Sequence, residues 1–417
     1  MRMNKKKIVP KLRFPEFGTS EGWKKYKLRE LADRITKKVG DNKLVTLSIS
    51  AGIGFVSQAE KFSRDISGKQ YCNYIYLKKG EFSYNKGNSK TFPQGCIYEL
   101  KEYDEAAVPN AFISFRFKEN LVPSFYQGYF DSNFHGKQLV RFITSGARSD
   151  GLLNISPTDF FSIVLPTPVK KEEQQKIADC LSSIDDLIDA ESRKLRALEK
   201  YKKGLMQKLF PAEGKTLPEW RFPEFQGCGE WKSKSMGKAC KMFSGGTPDT
   251  SKKEFYGGTI PFIRSAEINK SSTELFITEE GFKNSSTKMV KKGDILIALY
   301  GANSGEVALS KIDGAINQAI LCLRHETNNV FVYHYFTHMK NWIISKYIQG
   351  GQGNLSGQII KSVNLYFPKA EEQQKIADFL SEIDTMITGQ SNKVEQLKAH
   401  KKGLMQGLFP SFEEADV

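Results

Sequence analysis

The chain has 417 residues, a formal charge of +15 and a pI near 9.3, enough length for two or three domains. No apolar run approaches the ~18 residues that cross a membrane, the basic start over 1–7 lacks the apolar stretch of a signal peptide, and the six cysteines are scattered without CxxC spacing, which argues against a disulfide framework and a zinc site. A soluble cytoplasmic protein is expected, and a basic excess on such a protein points to nucleic acid, with a merely solubilising lysine surface as the plainer reading.

An N-terminal arm, 1–22, carries Arg13-Phe14-Pro15-Glu16-Phe17 and leads to Trp23. The block 23–166 then shows short β-rich runs at 44–49, 75–77 and 112–117, separated by Gly, Asn and Ser, with a helix expected over 124–130. Two of its loops hold candidate DNA-contacting side chains: Tyr84, Asn85, Lys86, Asn88, Ser89 and Lys90 in one, Ser145, Arg148, Ser149 and Asn154 in the other. Asn, Gln, Arg and Lys can read base edges, while Ser, Lys and backbone amides can hold phosphates. Gly, Asn and Ser also dominate ordinary turns.

The segment 167–212 has the pattern of a long amphipathic helix. Ile177, Leu181, Ile184, Ile188, Leu195, Leu198, Leu205 and Leu209 fall on two interleaved heptad series, interrupted by Glu191 and Lys202. Sustained 3.5 spacing predicts a coiled coil. Residues 172–191 carry seven acids and one lysine, and residues 192–210 carry seven bases and one acid.

After a linker, 213–230, the order repeats. Arg221-Phe222-Pro223-Glu224-Phe225 and Trp231 echo the arm at an offset of 208. The block 231–368 has β-rich runs at 260–263 and 295–299 and an expected helix over 332–347; its candidate DNA contacts are Arg264, Ser265, Tyr300, Asn303, Ser304, Gln349, Gln352 and Asn354. Lys79-Gly80-Glu81-Phe82 matches Lys292-Gly293-Asp294-Ile295, and Ala111 through Arg116 match Ala319 through Arg324. Each block reads as a small mixed α+β domain.

The segment 369–410 is a second copy of the helix, followed by a tail, 411–417. Over 40 aligned positions at an offset of 199, 25 are identical. Its seam is Ile376, Leu380, Ile383, Ile387, Val394, Leu397, Leu404 and Leu408, with Gln390 and Lys401 as polar members. Because each copy is acidic first and basic last, an antiparallel pair sets opposite charges together and a parallel pair sets like beside like. The helices are therefore expected to pair antiparallel, with Gly204 and Gly403 as sites of a kink or an early end.

Signals for catalysis fail. There is no Pro-Pro dipeptide for amino-group methylation of DNA, and Gly214-Lys215-Thr216 lacks the first glycine of a phosphate loop. Pro248-Asp249 has no acid-x-Lys after it, Phe243-Ser244-Gly245-Gly246-Thr247 lacks the second spaced glycine of a cofactor loop, and no Glu follows His334 in the His334/His338 pair.

A variable block, a heptad helix, a second variable block and a second copy of the helix, with EEQQKIA…KKGLMQ.LFP and RFPEF repeated, resemble the specificity (S) subunit of type I restriction–modification systems. Gly293-Asp294-Ile295-Leu296 fits that pattern, and Gly80-Glu81-Phe82-Ser83 departs from it. The resemblance implies an α+β fold with two tandem target-recognition domains, separated by an antiparallel coiled coil with pseudo-twofold symmetry. It implies double-stranded DNA, two modification subunits and restriction subunits as partners, with each domain reading half of a bipartite, asymmetric site. It also implies no catalysis, cofactor or metal in this chain; S-adenosylmethionine, ATP and Mg would belong to the partners. A coiled-coil adaptor without DNA specificity and a self-sufficient DNA-modifying enzyme stay open.

Overall fold

A computed structural model describes residues 7–87, 92–143, 152–301, 303–347 and 355–415. Two compact units emerge, and their boundaries cut through the long helices: Met1–Glu191 with Lys393–Val417, and Ser192–Asn392. Among the described residues, no helix is long and apolar enough to cross a membrane.

In the first unit a four-stranded antiparallel sheet runs in the order Ala32–Arg34, Ile113–Phe117, Phe82–Asn85, Cys96–Glu99. Two-stranded ribbons flank it, Leu47–Ser50 with Gly54–Ser57 and Ile75–Lys78 with Glu105–Val108. The strand Lys24–Lys27 pairs with Val164–Thr167, so the start and end of the block are sewn together. Phe82 stacks on Phe115 and meets Phe117 and Phe130 edge-on, in the core shared with the helix Pro123–Asp131.

The second unit repeats this scheme. Its main sheet runs Cys240–Ser244, Ile320–His325, Ile295–Ala298, Val307–Leu309, again antiparallel, and Lys232–Ser235 pairs with Asn364–Phe367. A second sheet is mixed, with Tyr256–Ile263 parallel to Gly314–Ile316. The helix Asn329–Tyr347 covers the main sheet, burying Phe331, Val332, Tyr335 and Phe336. His334 is buried 3.8 Å from Asp384, and His338 stacks on Phe210. Desolvation holds the imidazoles of both histidines below their ordinary range.

The two long helices are Lys171–Leu209 and Ala370–Leu408, 39 residues each, or about 58 Å at 1.5 Å per residue. Both run unbroken through Gly204 and Gly403, against the expectation of an early end. Nothing lies within 4 Å of a Cβ built at either glycine, so each occupies open space and the hydrogen-bonded ladder continues past it.

Within each unit the helical segments run antiparallel. In the first, Lys401 bonds Asp185 at 2.7 Å and Lys393 bonds Glu191 at 2.5 Å, so advancing along one helix retreats along the other. In the second, Lys202 bonds Asp384 at 2.5 Å. Lys202 and Lys401, and Asp185 and Asp384, are counterparts at the offset of 199. Ile177, Leu181, Ile376, Leu380, Ile383 and Val394 are buried, and Ile184, Ile188, Leu195, Leu198, Leu205, Ile387, Leu397 and Leu404 are half-buried. Ile177, Leu181 and Leu404 share the core of the first unit, and Leu205, Ile376, Leu380, Ile383 and Ile387 that of the second.

The repeated motifs lock to each other. Arg13 holds Glu173 through Nε at 2.7 Å and Nη2 at 2.8 Å, with the side chains 7% and 1% exposed. Arg221 holds Glu372 the same way at 2.6 and 2.6 Å. Glu16 meets Lys176 at 3.5 Å, and Glu224 meets Lys375 at 3.4 Å. Gln174 and Gln373 donate to the carbonyls of Pro168 and Pro368. RFPEF and EEQQKIA thus recur together because one is the socket of the other. Removing one member of such a pair strands a buried charge, which costs about 3–5 kcal/mol. Arg13→Ala and Arg221→Ala should each destabilise the chain by that amount in urea unfolding, and lysine at either place should rescue little because it lacks the planar fork.

Candidate nucleic-acid interface

A buried acid anchors each main sheet at one end. Gly293 turns the chain at φ +89°, and Asp294 accepts from the Lys291 amide at 2.7 Å while Arg324 grips it at 2.9 and 2.7 Å. In the first unit Gly80 has φ +81°, Glu81 accepts from the Lys78 amide at 2.7 Å, and Arg116 approaches it at 3.5 Å. The positive φ favours glycine. Glu81 therefore does the work of Asp294 with one methylene more, which accounts for the departure from Gly-Asp-Ile-Leu.

From these anchors the strands Phe82–Asn85 and Ile295–Ala298 lead into the candidate loops. In the first unit the Leu153 amide donates to the Lys86 carbonyl at 2.9 Å, and Gly87 bridges Leu152. In the second unit the Leu355 amide donates to the Leu299 carbonyl at 2.9 Å. The same pairing thus joins the two candidate loops of each block, which are far apart in sequence.

Individual side chains divide. Tyr84 corrects its assignment: it is fully buried, stacks on Phe160 and donates its hydroxyl to the Gln94 carbonyl at 2.7 Å, so it is a core residue with no surface for a base. Strand alternation turns it inward. Asn85 is half-buried, with its side-chain Oδ1 accepting from the Gly87 amide at 2.9 Å. Lys86 is half-buried and Asn154 exposed. Arg264 is committed to Glu267 at 3.0 Å and Glu274 at 2.6 Å, so a phosphate would have to displace an acid to reach it. Burial alone would raise the Glu267 carboxyl, but its hydrogen bonds, led by that from Arg264, hold it down at about 2. Ser265 is half-buried beside this cluster.

Tyr300 is 36% exposed at the head of its loop. Gly301 and Gly305 take φ +90° and +83°. Ser304 donates to the Leu299 carbonyl at 2.9 Å, and the Asn303 carbonyl accepts from the Glu306 amide at 2.9 Å. Asn88, Ser89, Lys90, Ser145, Arg148, Ser149, Gln349, Gln352 and Asn354 lie outside the described residues.

The basic excess is segregated. The two long helices carry equal numbers of basic and acidic residues, so the net +15 lies outside them. The strand Ile75–Lys78 adds a basic element not apparent from local sequence, with Lys37 at 4.4 Å and Lys78 at 5.9 Å from the Tyr76 ring.

The family model for the type I restriction modification DNA specificity domain matches twice, over residues 20–200 and 229–399. The protein named as the MjaX specificity subunit of Methanocaldococcus jannaschii is 28% identical over 70% of this chain and 68% of its own length. The EcoR124I/EcoR124II specificity subunit of Escherichia coli is 30% identical over 38% of this chain and 42% of its own length. A crystal structure of the specificity subunit from M. genitalium superposes with a TM-score of 0.63 at 16% identity, covering 97% of this chain and all of that one, which shows the shared fold. The chain belongs to the type I restriction modification DNA specificity family.

Proposed function

We propose that each unit reads one half of a two-part DNA site and that the paired helices set the gap between the halves. The chain is a specificity subunit with two DNA specificity domains. The observation that carries the finer reading is the duplication itself: two sheets of one topology, each anchored by a buried acid, present loops of unrelated sequence. Same skeleton with different side chains at the loops suits two different half-sites. A self-sufficient enzyme and an adaptor that never touches DNA find no support in the family match, and the adaptor leaves the charge outside the helices without a purpose.

The exposed faces of the helices would dock two modification subunits, with restriction subunits joining the full assembly in the cytoplasm. Methyl transfer from S-adenosylmethionine and the ATP- and Mg-dependent steps would fall to those partners. This chain would choose the site.

Two measurements test this reading. Methylation sequencing of a host expressing the chain with its modification subunit should return a bipartite, gapped motif. Deleting seven residues from each helix at repeat-equivalent positions, 188–194 and 387–393, which shortens both helices alike, should shorten the gap and leave both half-sites unchanged. Seven residues at 1.5 Å rise is about 10 Å, at most about three base-pair steps. An unchanged gap with altered half-sites would reject the ruler. Binding of the assembled complex to its duplex should weaken steeply with salt, the log–log slope being about −0.9 per phosphate neutralised; a flat slope would reject the basic blocks as the contact surface.

A further inference from the structure

We infer that Gln318 reads a purine edge in the half-site of the second unit and that Thr247 positions its carboxamide; this rests on the DNA-reading function proposed above. Gln318 is exposed in the short turn between the strands Gly314–Ile316 and Ile320–His325. That turn is braced on both sides. The Asn317 amide donates to the Ile263 carbonyl at 3.2 Å, and the Ile320 amide to the Asn317 carbonyl at 3.2 Å. The Leu299 amide donates to the Ala319 carbonyl at 2.8 Å, which extends the Ala298–Ile320 register by a step and sets Tyr300 opposite Gln318. Gln318 therefore stands on a rigid support beside the candidate loop headed by Tyr300.

Its side chain is oriented as well as its backbone. The segment leaving the strand Cys240–Ser244 crosses the sheet so closely that a Cβ at Gly245 would lie 1.8 Å from the Ile316 carbonyl oxygen, and one at Gly246 would lie 2.0 Å from Ser286 Oγ. Two glycines are required for the crossing, and the crossing delivers Thr247 to Gln318. The Thr247 hydroxyl donates to Gln318 Oε1. With Oε1 held, the Nε2 hydrogens are left to donate. A carboxamide that donates from Nε2 and keeps a lone pair on Oε1 matches the N7 acceptor of a purine, and adenine completes the pair with its N6 amine.

The first unit supports the assignment independently. Ala111 is the counterpart of Ala319, so the residue one step before it, the exposed Asn110, occupies the place of Gln318. Both blocks carry an amide there, of different length, and differ at most surrounding surface positions.

Methylation sequencing of Gln318→Ala, expressed with the modification subunit, tests this. One base position in one half-site should lose about ten- to hundredfold discrimination, with the gap and the other half-site unchanged; Asn110→Ala should do the same to the opposite half only. Thr247→Val should blur that same position and Thr247→Ser should restore it, which separates positioning from folding. An unaltered motif for Gln318→Ala would overturn the inference and leave the function standing, as would a uniform loss at every site in a variant that melts with the parent. A parental chain that gave no gapped motif would bring down the functional reading and this inference with it.

Discussion

Opposite charge laid along an antiparallel seam is the constraint on which the rest depends. A lysine inside an apolar heptad series is costly unless carboxylates meet it. Lys401 meets Asp185 and also lies 3.5 Å from Asp131 of the first reading domain, and Lys202 meets Asp384. Sliding the seam by one heptad would set Lys401 against Ala178 or Ser192, and Lys202 against Ala377 or Ser391, with no acid at any of the four places. The register is thus chosen by where the acids are, while the leucines and isoleucines would accept several. Each exposed pair contributes only about 0.2–1 kcal/mol. Their value lies in rejecting alternatives.

The reading domains attach to this frame through buried groups that sequence variation at the loops does not touch. Arg13 and Arg221 bind the first turns of the helices, and Phe210 and Phe409 carry the helix ends into the aromatic cores of the two units. The Gly-acid turns sit at the opposite end of the strands from the candidate loops. Skeleton and surface are therefore separable, and the loops can change while the sheet beneath them stays fixed.

That separation also decides what could be foreseen. Heptads, charge polarity and the repeat offset reveal the long helices, because periodicity is a property of the chain alone. They do not reveal the helix ends: the expected segments 167–212 and 369–410 overrun Lys171–Leu209 and Ala370–Leu408, and Thr167 belongs to the strand before the first helix. The equivalence of Glu81 and Asp294 is visible in the spacing Lys-Gly-acid, since a positive-φ glycine followed by a carboxylate is a local device. Tyr84 misleads, because its neighbours are polar and only strand alternation turns it inward onto Phe160. Arg264 misleads for another reason: Glu274, the acid that shares it with Glu267, sits ten residues on, and its approach is tertiary. Gln318 carries no local mark at all. Its setting depends on Gly245 and Gly246, more than 70 residues earlier, passing over Ile316.

The repeat offsets give the frame a further property. Gly80 and Gly293 are 213 apart, Ala111 and Ala319 208, Leu153 and Leu355 202, and the two helices 199 throughout. Insertions and deletions between the copies have therefore accumulated inside the blocks and nowhere along the rods. Antiparallel pairing requires this. A length change in one helix alone would carry Lys202 or Lys401 past its acid and leave one end of the seam without a partner, whereas a loop can lengthen at little cost because closure entropy grows slowly with length. The two helices are bound to change together, and each reading block is free to change by itself.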